Sequence, residues 1–356
     1  MSTKLGILTL DPQTQQEFFH EIGKRARKYD IELFLFSPLN IVPASHKVEG
    51  YCFHSDINEW KQSQFSLPLY LYDRCIYEED SKSKNAKRVV SWLKSRSDTT
   101  FLGYGLPNKW VLYEELKNNP LISPYLVETT KASLPEKIIS KLSADHPIIL
   151  KPIDGNRSAI YSIEQIENNV LVKTTRAEKV VAKSFESVAD CKQWLEIILR
   201  KHIYLMQRKL NNVNKNNQPY ALRMLLQKDH AGNWHEVTRK IRVGDKNGLL
   251  TNTSENIYTY EGLKKQFPHF NVTYIENEID EIIAQLPKQL EQTFHPLFEL
   301  EVDIILANDQ SIWIIDINSK PKMISADKIE TNRLEQLIEA PLAYCQFLST
   351  SKNGSI

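Results

Sequence analysis

The stretch that most restricts this chain is 298–323, FELEVDIILANDQSIWIIDINSKPKM. Two apolar runs flank a polar break at Asn308-Asp309-Gln310, a pattern that predicts a β-hairpin. Side chains alternate along a strand, so Leu300, Val302, Ile304 and Leu306 share one face, while Glu299, Glu301 and Asp303 take the other. On the second strand Trp313, Ile315 and Ile317 oppose Ile312, Ile314, Asp316 and Asn318. Bringing both polar faces to one side demands that Asp303 pair with Asp316 and Glu301 with Asn318. A two-residue turn at Asp309-Gln310 provides that register, and a one-residue slip would turn one strand's acids away.

Carboxylates placed opposite each other repel, and taking both out of water costs several kcal/mol per ion. A positive partner is therefore expected between them. The donors are all oxygens: Asp303, Asp316, the carbonyl of Asn318 and Glu301. Such a set suits a hard cation such as Mg²⁺, which keeps some water and accepts phosphate oxygens. The competing reading is a solvated outer face of an edge hairpin, whose acids only discourage aggregation.

At 356 residues the chain exceeds one ordinary core, so two or three domains are expected. Its 45 Lys and Arg nearly balance 44 Asp and Glu, which gives no reason to expect general nucleic-acid or membrane binding. No apolar run is long enough to span a bilayer. Cys52, Cys75, Cys191 and Cys345 are widely spaced, and read as reduced cytosolic thiols rather than a zinc site or disulfide framework.

Residues 4–10, 14–28 and 31–36 read as β-α-β, opening a small α/β unit. No glycine-rich turn joins the first strand to the helix, so a dinucleotide fingerprint is excluded. Strands follow at 48–54 and 67–71, and Asp73-Arg74 beyond them suits either a ligand contact or a surface ion pair. Residues 78–87 read as a charged loop or helix start, and Gly103, Gly105 and Pro107 mark a boundary. A helix opening at Asn108-Lys109-Trp110 and another at 135–142 precede the apolar strand 146–152. Its Lys151, beside the loop IDGNRSA, is placed either to meet phosphate as a point charge or to reach solvent. Then come a helix at 185–201, a strand at 204–210, and paired strands at 219–227 and 234–243. Arg223, Lys240 and Arg242 charge those apolar strands, a liability unless an anion meets them. A helix at 279–294 leads to the acidic hairpin, and one at 332–348 closes the chain. The expected division is 1–105, 106–205 and 206–348, with a disordered tail at 349–356.

Ile149-Leu150-Lys151-Pro152 with Gly155, the Leu222-Arg223 strand, Glu301-x-Asp303 and Asp316-x-Asn318-x-x-Pro321 together resemble the ATP-grasp superfamily. Asn108-Lys109-Trp110, LRMLLQKD with GNW, Arg242-Val243-Gly244 and Thr251-Asn252 resemble its YheC/YheD branch, known as endospore coat-associated proteins. The resemblance implies an α/β ATP-grasp fold: a small N-terminal α/β domain, a lid subdomain, and a C-terminal antiparallel-sheet subdomain. ATP would lie between the last two. It further implies that Lys109, Lys151 and Gly155 face ATP, and that Met206, Gln207 and Arg208 form the hinge at the adenine edge. Arg223, with Lys240 beside it, would stabilise the transferred phosphoryl group, and Asp303, Asp316 and Asn318 would bind Mg²⁺.

The implied activity is ATP-dependent ligation of a carboxylate to an amine, on small molecules, peptides or protein termini, with spore-coat proteins as further partners. A carboxylate attacks the γ-phosphate and an amine then displaces phosphate, so positioning and charge stabilisation supply the catalysis. The implied setting is cytoplasmic, with a spore association. The chain departs from the pattern in its lid loop, where IDGNRSA holds one glycine, at Thr253-Ser254-Glu255-Asn256, at Lys322, and at Asp316 where glutamate is commoner. Two alternatives stay open: a non-catalytic coat protein on the same scaffold, and a phosphotransferase using the same site.

Overall fold

A computed structural model describes residues 2–42, 47–154, 159–176, 179–246, 248–249, 256–260, 270–321 and 331–353. The chain builds three sheets in sequence order, each covering its own apolar cluster.

In the first sheet, Thr3–Leu8 lies between Ile31–Phe36 and Tyr70–Asp73, parallel to both. The helix Gln16–Ala26 buries Phe19, Ile22, Gly23 and Ala26, a spacing that puts them on one face against the sheet. On the opposite face Ser81–Ser95, capped by Asp80 accepting from the Ser83 amide, buries Ala86, Val90 and Leu93. The charged run at 78–87 is thus a cap and first turns. A strand unread in the sequence, Glu59–Ser66, pairs antiparallel with Lys47–His54. Its sequence, EWKQSQFS, is polar because it is an edge strand that buries only part of one face.

The second sheet is antiparallel, and its strands Thr129–Ala132, Tyr204–Arg208, Ile148–Pro152 and Tyr161–Ile166 lie side by side in that order. Asn169–Arg176 and Lys179–Phe185 extend it outward. Helices Pro135–Lys141 and Val188–Lys201 cover one face through Ile138, Cys191 and Leu195. The boundary expected at 205/206 falls inside Tyr204–Arg208, whose backbone bonds on both sides are to this sheet.

The third sheet runs Asn256–Thr259, Trp234–Val243, Tyr220–Lys228, Glu299–Leu306, Ile312–Asn318. Helix Val272–Thr293 begins a full turn and more before the expected start, because Asn271 caps it by accepting from the Tyr274 amide. It buries Ile275, Ile279, Ile282, Leu286 and Leu290 against Leu222, Met224, Leu300, Val302 and Ile304. Each such side chain contributes about 1.5–3 kcal/mol. One face of the sheet is consumed in this way, which leaves the charged face for the second sheet. Helix Thr331–Asn353 packs Leu337 on the third sheet and Ile338, Leu342 and Tyr344 on the first. The tail expected from 349 is helical to Asn353, and Ser349, Thr350 and Ser351 return their hydroxyls to carbonyls one turn back.

Candidate active site

The hairpin at Glu299–Leu306 and Ile312–Asn318 pairs Asp303 with Asp316 and Glu301 with Asn318, the register expected from the alternation. It gets there by a different route. The turn is three residues long: the Ala307 amide donates to Ser311, the Gln310 amide donates back to Ala307, and Gln310 has φ 68°. That turn offsets the pairing by one, to Ile304 with Ile314, and a bulge between Asp303 and Ile304 restores it. Ile315 is the extra residue. Trp313 and Ile315 therefore share the polar face with Asp316 and Asn318, not the face of Ile317 as alternation alone predicts.

The acids are buried, so the solvated-edge reading fails: Glu301 is 5% exposed and Asp303 4%. Their positive partners are side chains of the protein. Arg223 stands opposite Asp303 on the adjacent strand and grips it by two hydrogen bonds, Nε to Oδ1 and Nη2 to Oδ2, each 2.7 Å. Its Nη1 lies 3.1 Å from Glu301 Oε2. Arg242 reaches Asp303 Oδ2 at 3.3 Å. Lys109 Nζ lies 2.6 Å from Asp316 Oδ1. Lys151 donates to the carbonyl of the bulged Ile315 at 3.2 Å.

Two local features bring the lysines together. Asn108 caps the helix Lys109–Leu116 by accepting from the Trp110 and Val111 amides, which sets Lys109 at its first position. The Lys109 amide then donates to Ile153 O, just past the strand that carries Lys151. The Lys151 ammonium consequently stands beside the pair that Lys109 makes with Asp316, close enough to feel both charges. Burial, and then the charge of Lys109, push the Lys151 ammonium down to about 8 despite Asp316 and Asp303. Burial works to raise the Asp316 carboxyl, but the charge and hydrogen bond of Lys109, the charge of Lys151 and the Asn318 amide together hold it below the usual range. Burial also drives Glu301 up to about 7, beyond what Arg223 offsets.

These groups line a cleft of about 2120 Å³ between the second and third sheets that extends to the first. Beside the charges it has an apolar slot of Val127, Leu210, Ala221, Ile305 and Ile315, with the Arg208 guanidinium 4.5 Å above the Trp313 ring at its rim. Among the described residues, twelve Lys and Arg but six Asp and Glu line the cleft, in a chain whose net charge is +1. Of the expected hinge, Gln207 and Arg208 line it, whereas Met206 points into the second sheet's own core. Lys240 is half-buried directly opposite Arg223, and Arg242, two residues on, is the one whose guanidinium reaches the acids. Gly155, Thr251-Asn252 and Lys322 lie outside the described residues.

Asp73 and Arg74 are neither exposed nor a pair with each other. Arg74 is held by Glu299, by Gln15 and by Pro321 O, while Asp73 faces Lys320 at 2.7 Å and Lys94 at 3.7 Å. Both tie the first sheet to the hairpin. No sequence signal marked Gln15, Lys94 or the apolar slot, because their partners are far away in the chain.

For a divalent cation, no three His, Cys, Asp or Glu among the described residues form a ready ligand cluster. Asp303, Asp316 and Asn318 nonetheless supply oxygen donors on one sheet face, in adjacent rows, and that chemistry fits a hard ion. Its arrival would exchange the Lys109 and Arg223 contacts for metal bonds.

A model of the YheC/D-like ATP-grasp family matches residues 98–348. The Bacillus subtilis (strain 168) endospore coat-associated protein YheC is 34% identical over 352 residues, covering 98% of this chain and 97% of its own length. Among solved structures, the fold is similar to N5-carboxyaminoimidazole synthetase from Staphylococcus aureus, with TM-score 0.52 and 12% identity over 96% of this chain and 78% of that one. It is equally similar to the ATP-grasp ligase PsnB complexed with minimal precursor, with TM-score 0.52 and 12% identity over 97% of this chain and 100% of that one. The chain belongs to the YheC/D-like ATP-grasp family.

Proposed function

We propose that the chain is an ATP- and Mg²⁺-dependent carboxylate–amine ligase that works through an acyl phosphate. The observation that carries this reading is the convergence of Lys109, Lys151, Arg223 and Arg242 on the hairpin acids, next to an apolar slot. A nucleotide has that polarity: a flat apolar base at one end and a polyanion at the other. The slot takes the base, with Gln207 and Arg208 at its edge, and the lysines take the phosphates.

A magnesium ion held by Asp303, Asp316 and Asn318 would neutralise phosphoryl oxygens. Arg223 and Arg242 donate to the transferring group, and to the acyl phosphate that forms when a carboxylate attacks it. The cleft, at about 2120 Å³, exceeds the ~300–1,000 Å³ of an ordinary ligand site, which leaves room for a co-substrate beside the nucleotide. We place the activity in the cytoplasm and link it to endospore coat formation, in keeping with the name of the Bacillus subtilis relative.

The test is isothermal titration with MgADP, followed by ADP release over pairs of amino acids and short peptides. Asp316→Ala should abolish ADP formation with its folded signal retained. Full activity in that variant sinks the assignment. A second reading, a coat component without catalysis, is favoured by the salt-bridged acids and the single glycine of IDGNRSA. Failure of millimolar MgADP to raise the melting temperature would favour it over the ligase, since a bound ligand must stabilise.

A further inference from the structure

Gln207 and Thr129 face each other as a cross-strand pair of the second sheet, where Tyr204–Arg208 runs against Thr129–Ala132. Alternation sends Met206 into that sheet's own core and Gln207 to the opposite face, which lines the cleft. On its other side Gln207 pairs with Ile149, and Lys151, two residues further along the same strand, lies on the same face. An uncharged amide therefore stands beside the apolar slot, one row of the sheet away from the row that carries Lys151.

The direction of that amide is decided by one proton. The Thr129 hydroxyl donates to the Val127 carbonyl at 2.8 Å, and a carbonyl can only accept. With its single proton committed, the buried Thr129 oxygen offers Gln207 a lone pair and nothing else. The 2.8 Å contact between the two side chains must then run from Gln207 Nε2 to Thr129 Oγ1, which turns Gln207 Oε1 away from Thr129. Among the described residues no donor meets that Oε1, and it is not sealed from the cleft. The anchor is itself held by the third sheet: Leu126, the residue before Val127, bridges to Ile314 on the hairpin strand Ile312–Asn318. Carbonyl, hydroxyl and amide form a relay from the wall of the slot to its edge, and the group it presents is an acceptor.

We propose that Thr129 is a positioning residue for base selection: by holding Gln207 with its carbonyl toward the slot, it admits a base that presents an amino group there and rejects one that presents a carbonyl. That a base fills the slot rests on the ligase reading; the orientation of Gln207 rests on the hydroxyl's one proton. Adenine carries an exocyclic amino group that donates to Oε1. Hypoxanthine carries a carbonyl oxygen at the same ring carbon, so two acceptors would meet and both would go unpaired.

The test is calorimetric titration of the full chain with MgADP and MgIDP, which share sugar and phosphates and differ in that exocyclic group and in the protonation of the ring nitrogen beside it. The parent should bind MgADP at least about tenfold more tightly, the order expected of one acceptor left unpaired. Thr129→Val keeps the side chain's shape but removes the hydroxyl, so Gln207 can turn its Nε2 to the slot. MgADP should then weaken while MgIDP tightens, bringing the two within about threefold. Thr129→Ser, which keeps the hydroxyl, should restore the parent ratio. Gln207→Met removes the amide and should also bring the two affinities together, which carries the test if Thr129→Val does not fold. A Thr129 that only supported the fold would weaken both nucleotides alike in Thr129→Val and leave their ratio unchanged, and that result overturns the proposal. A parent that binds MgIDP as tightly as MgADP overturns it too and leaves the ligase reading standing, whereas a parent that binds neither nucleotide overturns both.

Discussion

Removing Arg223 tests the electrostatic account of the hairpin most directly. In Arg223→Ala, Asp303 loses both 2.7 Å hydrogen bonds and Glu301 loses its 3.1 Å contact, and both carboxylates stay buried. Arg242, 3.3 Å from Asp303, remains and covers part of the deficit. Breaking a buried pair from one side costs about 3–5 kcal/mol, a large share of the roughly 5–15 kcal/mol that holds a domain. If the cost is the stranded acid rather than lost packing, Arg223→Ala with Asp303→Asn should recover about 1–3 kcal/mol, because the amide carries no charge to strand. The assay is urea unfolding in EDTA followed by tryptophan fluorescence, with Trp313, on the second hairpin strand beneath the Arg208 guanidinium, reporting on the hairpin. A single variant within about 1 kcal/mol of the parent, or a double variant weaker than the single, would refute the reasoning.

Lys151→Met should weaken MgADP at least about tenfold while holding the fold, because a buried ammonium already pushed down to about 8 costs little to replace with an apolar isostere; unchanged affinity in calorimetry would remove Lys151 from the phosphate site. Asp73 is held below the usual carboxylate range, since Lys320 and Lys94 outweigh its burial. Its contribution to stability is therefore present above about pH 3.9 and lost as pH falls through the lower folded value. Asp73→Asn should be less stable than the parent at pH 7, with the gap closing in acid; a gap independent of pH contradicts this. Gly105 has φ +84°, and a Cβ there would meet only ordinary contacts at 3.7 Å, so Gly105→Ala should cost about 1–2 kcal/mol from backbone strain rather than from a clash, read as a shifted urea midpoint.

How far the sequence reaches depends on whether neighbours in space are also neighbours in the chain. Elements with an apolar period, such as Ile31–Phe36 and Trp234–Val243, are readable because burial selects their side chains one residue at a time. Glu59–Ser66 and Lys179–Phe185 are not, because edge strands with exposed faces owe their shape to partner backbones. The pairing of Asp303 with Asp316 was legible from alternation, whereas the three-residue turn and the bulge at Ile315 that produce it were not. Two compensating one-residue offsets leave no trace in a pattern of period two.

By itself, then, the sequence determined that two acid-bearing strands must share a face, and that basic residues on apolar strands must answer an anion. Only the tertiary structure decided which cation meets which acid. Arg223 reaches Asp303 across 80 positions, Lys109 reaches Asp316 from the first position of the helix Lys109–Leu116, and Lys94 and Lys320 meet over Asp73. Charge is written into each residue, but its partner is chosen by sheet order and by the three-dimensional closure of the cleft, which no local spacing encodes.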